Sequence, residues 1–159
     1  YGGGMNYYFE DDNSYELKEI PTRFEAGTPA IAEVIGLRSA ILYLEDIGIN
    51  NIHKHEMELK KYLVDKLEKI DNITIYNKNS NSGIIAFNVD GVFAQDTSVF
   101  LNHYKIAVRA GNHCAKELKD VIGIKNTVRV SMYLYNNKED IDRLVEALKN
   151  NKEIFNVVL

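Results

Sequence analysis

Only one cysteine, Cys114, occurs among 159 residues, so no disulfide within the chain can staple its fold. No run of about 18 apolar residues is present that could span a bilayer. Nor does a charged segment followed by an apolar one open the chain as a secretory leader would. Basic charge is not in excess: 19 lysines and arginines against 23 aspartates and glutamates give a formal charge of −4. This balance argues against a nucleic-acid surface and against polybasic contact with anionic membranes. Proline is scarce, and both copies, Pro21 and Pro29, fall within the first 29 residues. There is no internal repeat, and no metal site is expected. A small-molecule partner and a reducing, cytoplasmic compartment fit these absences best.

What is present suffices for one domain, since 45% of the residues are hydrophobic and a chain of this size can close a core. Residues 1–29 carry no sustained period and read as an extended or linker segment, 30–151 as an α+β domain, and 152–159 as a tail. The opening Tyr1-Gly2-Gly3-Gly4-Met5 has no obvious start. It reads as the inside of a longer protein, with a tag or loop remnant as alternatives.

A helix is expected beyond Pro29, ending at Gly48. Its apolar positions, from Ile31 to Leu44, leave only a narrow polar strip, which predicts a helix covered on most sides. A second, amphipathic helix is expected over about 51–70, with Ile52, Leu59, Leu63 and Leu67 on one face. The β-rich runs 73–76 and 83–89, separated by turn-forming residues, suggest a hairpin. A short helix over 94–104, a strand over 106–109 and a strand over 127–134 follow. In the last of these, Val128 and Val130 alternate with Arg129 and Ser131, which turns Arg129 away from the Val128 face. A final helix should begin near Asn137, capped by its side chain with Asp140 three positions on. Strands and helices mix without strict βαβ alternation, so helices packed on a mainly antiparallel sheet are expected.

Chemistry concentrates around Cys114, in the stretch Val108-Arg109-Ala110-Gly111-Asn112-His113-Cys114-Ala115. The thiolate is the nucleophilic form of cysteine, and nearby cations raise its share at neutral pH. By itself a lone cysteine is commonly a small buried hydrophobe. Three segments tip the balance: Arg23-Phe24-Glu25-Ala26-Gly27-Thr28-Pro29, Val108 to Ala115, and Val128-Arg129-Val130-Ser131 followed by Tyr135-Asn136. Together they resemble the carboxy-terminal, small domain of the cysteine desulfurases and selenocysteine lyases. These are class-V aminotransferase-like enzymes of pyridoxal phosphate fold type I. Gly83 to Asn88 also looks like a family strand, and the resemblance runs from about 20 to 148. The Arg-x-Gly-x-His-Cys-Ala pattern suggests the second group of desulfurases. The chain departs from that pattern at Ala110, Asn112 and Lys116-Glu117, which bears on substrate preference and loop geometry.

The resemblance implies that Cys114 takes sulfur from L-cysteine as a persulfide and leaves L-alanine. It also implies that Arg129 grips the substrate carboxylate, for which a planar two-donor guanidinium suits better than a lysine. The alternative for Arg129 is an ordinary salt bridge. Arg109 is expected near the thiol or the substrate, with a structural role as its alternative. His113 and Asn112 are expected to support the loop. Gly27 and Thr28 resemble the segment that reaches the cofactor phosphate of the neighbouring subunit, and Thr28 could equally cap the following helix.

The family's cofactor lysine follows a histidine. The dipeptide occurs here only as His53-Lys54, on the polar face of the second helix, and reads as coincidence. The resemblance therefore implies a homodimeric parent that binds pyridoxal phosphate and passes sulfur to an acceptor or scaffold protein for iron–sulfur cluster assembly. The chain alone is expected neither to hold the cofactor nor to turn over cysteine. Alternatives are a selenocysteine lyase acting on L-selenocysteine, a non-catalytic sulfur-relay or docking module, and a generic domain with an inert thiol.

Overall fold

The computed structural model describes residues 3–9 and 15–154. The acidic run Glu10-Asp11-Asp12 and the end of the expected tail, 155–159, lie outside them. By its internal contacts the chain divides into two compact units, 1–47 and 48–159.

In the first unit, strands β1 (Asn6–Phe9) and β2 (Tyr15–Leu17) pair antiparallel. Single 3-10 turns precede and follow this ribbon at Gly3–Met5 and Thr22–Phe24. Arg23 Nε donates to the Lys18 carbonyl at 2.9 Å and holds the second turn. Helix α1 (Ile31–Ile47) starts just past Pro29 and stops before Gly48, as the sequence predicts. Its expected cover is not found: Val34, Leu37 and Tyr43 are 60% exposed or more. Among the described residues this unit offers only a two-stranded sheet and single turns beside α1, and no residue of the helix is buried.

The second unit runs α2 (Ile49–Leu67), β3 (Ile73–Ile75), β4 (Ile84–Val89), α3 (Ala94–His103), β5 (Arg109–Gly111), α4 (Lys116–Ile122), β6 (Thr127–Ser131) and α5 (Lys138–Lys149). The four strands form one sheet in the order β3-β4-β6-β5, with every neighbouring pair antiparallel. Alternation gives this sheet two different faces. Ile85, Phe87, Val89 and Val128 are buried on one of them and share a single core with Leu63 and Leu67 of α2, Phe100 of α3, and Leu144 and Leu148 of α5. Each such side chain contributes about 1.5–3 kcal/mol on burial. The opposite face carries Asn88, Thr127, Arg129 and Arg109, and the candidate site is built there.

Local chemistry fixes the element ends. Asn137 accepts from the amides of Glu139 and Asp140 while Asp140 returns a bond to the Asn137 amide, a complete capping box at the start of α5. Lys60, buried on α2, donates to the carbonyls of Asn77 and Ser80 and to the Ser80 hydroxyl, tying that helix to the β3–β4 turn.

Besides the exposure of α1, the strand expected over 127–134 stops at Ser131, and two larger features depart from the sequence expectation. The strand expected over 106–109 sits over 109–111, because the Ile106 amide bonds the Leu101 carbonyl to end α3 before the chain enters the sheet. The short helix α4 was not expected. It is closed by Gly123 in a left-handed conformation, with the Gly123 amide bonded to the Asp120 carbonyl and the Ile124 amide to the Lys119 carbonyl.

Candidate active site

The cysteine loop joins β5 to α4 and is shaped by Asn112. Its side-chain oxygen accepts from the Cys114 amide at 3.1 Å, and its carbonyl accepts from the Ala115 amide at 3.0 Å. This local bonding turns the backbone back on itself. His113 and Cys114 both adopt φ of +57°, a left-handed conformation that costs non-glycine residues free energy unless surrounding contacts hold it. As a result Cys114 stands exposed, which removes the reading of an inert thiol buried in the core.

His113 is the loop's anchor to the sheet. Its Nε2 lies 3.0 Å from both the carbonyl oxygen and the hydroxyl of Thr127. A carbonyl only accepts, so in the neutral ring Nε2 carries the hydrogen and Nδ1 keeps a bare lone pair. That Nδ1 is buried and has no hydrogen-bond partner among the described residues. Burial lowers the His113 pKa from its ordinary value. The Thr127 hydrogen bond opposes the shift, and the positive charges of Lys119, Arg129 and Arg109 add to it.

Arg129 lies in register between Ala86 of β4 and Arg109 of β5. Directly opposed residues of an antiparallel pair share a face, about 4.5–5.5 Å apart at Cβ. Two guanidinium groups therefore start side by side. Among the described residues neither arginine has a carboxylate partner, so the salt-bridge alternative for Arg129 finds no acid. The Arg129 Nε is buried and unbonded. A pair of cations without an anion is a poor way to stabilise a sheet and a good way to receive one.

Lys119 and Thr127 complete this face, and sequence reasoning missed both. Thr127 is fully buried, Lys119 is 6% exposed, and the lysine ammonium donates to the Thr127 hydroxyl at 2.7 Å. Burial lowers the Lys119 pKa. The available signal was the spacing of Thr127 and Arg129, which puts them on one face of β6. Locating Lys119 required knowing that a helix follows the cysteine.

Gly27 and Thr28 lie in the first unit. Gly27 has φ of +81° with open space around the position of a Cβ, and Thr28 is exposed. The capping alternative for Thr28 has no hydrogen bond behind it among the described residues, and α1 begins three positions later. Lys54 is 78% exposed and sits 4.0 Å from Glu58 one helical turn on, a solvated pair. Among the described residues no three His, Cys, Asp or Glu side chains are grouped to hold a metal, and no helix is long and apolar enough to cross a membrane.

The site is thus an exposed cysteine on a tight loop that His113 anchors to a sheet face carrying two arginines. The class-V aminotransferase family model matches residues 1–144, and the chain belongs to that family, whose members use pyridoxal phosphate. It is 43% identical over 158 residues to a "probable cysteine desulfurase" of Staphylococcus epidermidis, covering 98% of this chain and 38% of that protein. A "probable cysteine desulfurase" of Halalkalibacterium halodurans is 46% identical over 138 residues, 87% of this chain and 34% of its own length. Among solved structures, the cysteine desulfurase CsdA of Escherichia coli in its S-sulfonic acid form superposes with a TM-score of 0.86 at 34% identity. That match covers 97% of this chain and 38% of that one. The cysteine desulfurase of Thermococcus onnurineus gives 0.84 at 35% identity, covering 95% and 38%. The chain thus spans a little over a third of the length of the relatives it matches.

Proposed function

We propose that this chain is the carboxy-terminal part of a pyridoxal-phosphate-dependent cysteine desulfurase in which Cys114 is the sulfur acceptor. The observation that carries the reading is the exposed Cys114 on a bonded loop that His113 ties to the sheet face of Arg109 and Arg129, neither of which has a carboxylate partner among the described residues. In the reaction, the Cys114 thiolate attacks the sulfur of L-cysteine. The new S–S bond forms as the substrate's Cβ–S bond breaks, and the electron pair of that bond stays with the carbon skeleton, which is protonated to L-alanine. When bound, the cofactor supplies the electron sink on which this cleavage depends. Arg129 grips the substrate carboxylate through two N–H donors, with Arg109 beside it adding positive charge. His113 and Asn112 hold the loop.

The residues present fit part of the cofactor's needs. Gly27 leaves room for close approach, and the exposed Thr28 hydroxyl can donate to a phosphate, here that of the neighbouring subunit in a homodimer. Lys54, solvated and paired with Glu58, does not fit the role of the lysine that holds the cofactor. This chain by itself is therefore expected to be inactive. Residues 1–29 act as the junction to the larger, cofactor-holding domain, 30–151 as the carboxy-terminal domain and 152–159 as its tail. The enzyme works in the cytoplasm, and the persulfide is handed to an acceptor protein for iron–sulfur cluster assembly.

The test is Cys114→Ala in the full-length protein. Persulfide formation should vanish while cofactor binding persists, and undiminished desulfurase activity would refute the assignment. Offering L-selenocysteine beside L-cysteine separates desulfurase from selenocysteine lyase.

A further inference from the structure

We propose that Lys119 and Thr127 are positioning residues for sulfur transfer, clamping the Cys114 loop to the strand that carries Arg129. This rests on the reading of Cys114 as the sulfur acceptor. The clamp closes on a single side chain. The Thr127 hydroxyl accepts from the Lys119 ammonium at 2.7 Å and from His113 Nε2 at 3.0 Å, and the Thr127 carbonyl accepts from the same ring nitrogen. Cys114 lies between these two anchors, adjoining His113 and five residues before Lys119. Thr127 is fully buried, and on β6 it is two residues from Arg129, so the two share a face. One hydroxyl therefore sets the thiol relative to the carboxylate-binding guanidinium.

Stability alone gives no reason for this arrangement. Lys119 is nearly buried, has no carboxylate partner among the described residues and makes one hydrogen bond, to a neutral hydroxyl. An apolar side chain of similar length would avoid the desolvation of a buried charge. The loop, in contrast, needs outside support, because His113 and Cys114 both hold φ of +57° and such strain persists only where surrounding contacts over-determine it. Asn112 bonds the turn internally, whereas Lys119 and His113 tie it to the sheet. A thiol displaced by about 1 Å from its line of attack can lose on the order of a hundredfold in rate, so a fixed distance from Cys114 to Arg129 has direct catalytic value.

The test uses the full-length, cofactor-loaded protein and three variants: Thr127→Val, which keeps the shape and removes the hydroxyl; Thr127→Ser, which restores it; and Lys119→Met. Amide hydrogen exchange over 112–119 reads the clamp, and single-turnover persulfide formation at saturating L-cysteine reads its consequence. In Thr127→Val and Lys119→Met, exchange should quicken and persulfide formation should slow, each by about tenfold or more. The KM for L-cysteine and the rate of Cys114 alkylation by iodoacetamide should stay within about twofold, because the carboxylate grip and the exposure of the thiol are untouched. Thr127→Ser should behave as the parent. Unchanged exchange, or faster exchange with an unaltered persulfide rate, would overturn the proposal. So would a Thr127→Ser variant as impaired as Thr127→Val. If the parent itself formed no persulfide on Cys114, the acceptor reading would fail, and exchange would still report whether the clamp exists.

Discussion

Removing Arg129 should damage catalysis and spare the fold. The guanidinium is opposed in register by that of Arg109, finds no carboxylate among the described residues, and leaves its Nε buried and unbonded. Like charges directly across an antiparallel pair are unfavourable, and cross-strand pair energies run to about 0.2–1 kcal/mol. Arg129→Gln relieves that repulsion and loses no ion pair, so stability against urea should change by less than about 1 kcal/mol and can rise at low salt, where screening is weakest. The substrate side loses far more. Hydrogen bonds to a charged group contribute about 1.5–3 kcal/mol, so losing the grip on the carboxylate should raise the KM for L-cysteine in the full-length protein by about 10- to 150-fold. Steady-state alanine release and urea titration on the same variant measure the two effects. A drop of about 2 kcal/mol or more in stability with an unchanged KM would refute the reasoning and make Arg129 a structural residue.

Other outcomes follow from the same contacts. The folded-state pKa of His113 lies below the ordinary 6.5, so the unfolded chain takes up that proton more readily. Its contribution to stability is therefore full above about pH 6.5 and is lost as the pH falls through the folded value; His113→Gln should flatten that part of the stability-versus-pH curve. Asn137→Ala removes the acceptor of the α5 capping box and should lower stability by about 1 kcal/mol, read as a shifted urea midpoint with an unchanged slope. The chain expressed without the rest of its parent should show neither bound-cofactor absorbance in the visible range nor alanine release from L-cysteine; either signal would contradict the reading of Lys54 as a solvated charge.

Much of this was legible because short-range patterns carried it. The alternation of Val128, Arg129 and Val130 placed Arg129 on the polar face, and Asn137 followed by Asp140 marked the start of α5. Longer-range features were not. Whether α1 is covered depends on partners that its own apolar pattern does not name. Helix α4 escaped notice because seven residues, with Leu118 and Val121 both exposed, hold too few turns to display a period. Without α4, nothing in the spacing of Lys119, eight residues before Thr127, suggested that the two would meet. The pairing of Arg109 with Arg129 likewise needed the strand order, which the sequence left open.

The most direct test is a mass measurement on the Cys114 peptide of the full-length, cofactor-loaded protein after a single turnover with sulfur-labelled L-cysteine. The account predicts one added labelled sulfur atom on Cys114, removable by a thiol reductant, with one equivalent of L-alanine released. Alanine released while Cys114 stays unmodified would contradict it.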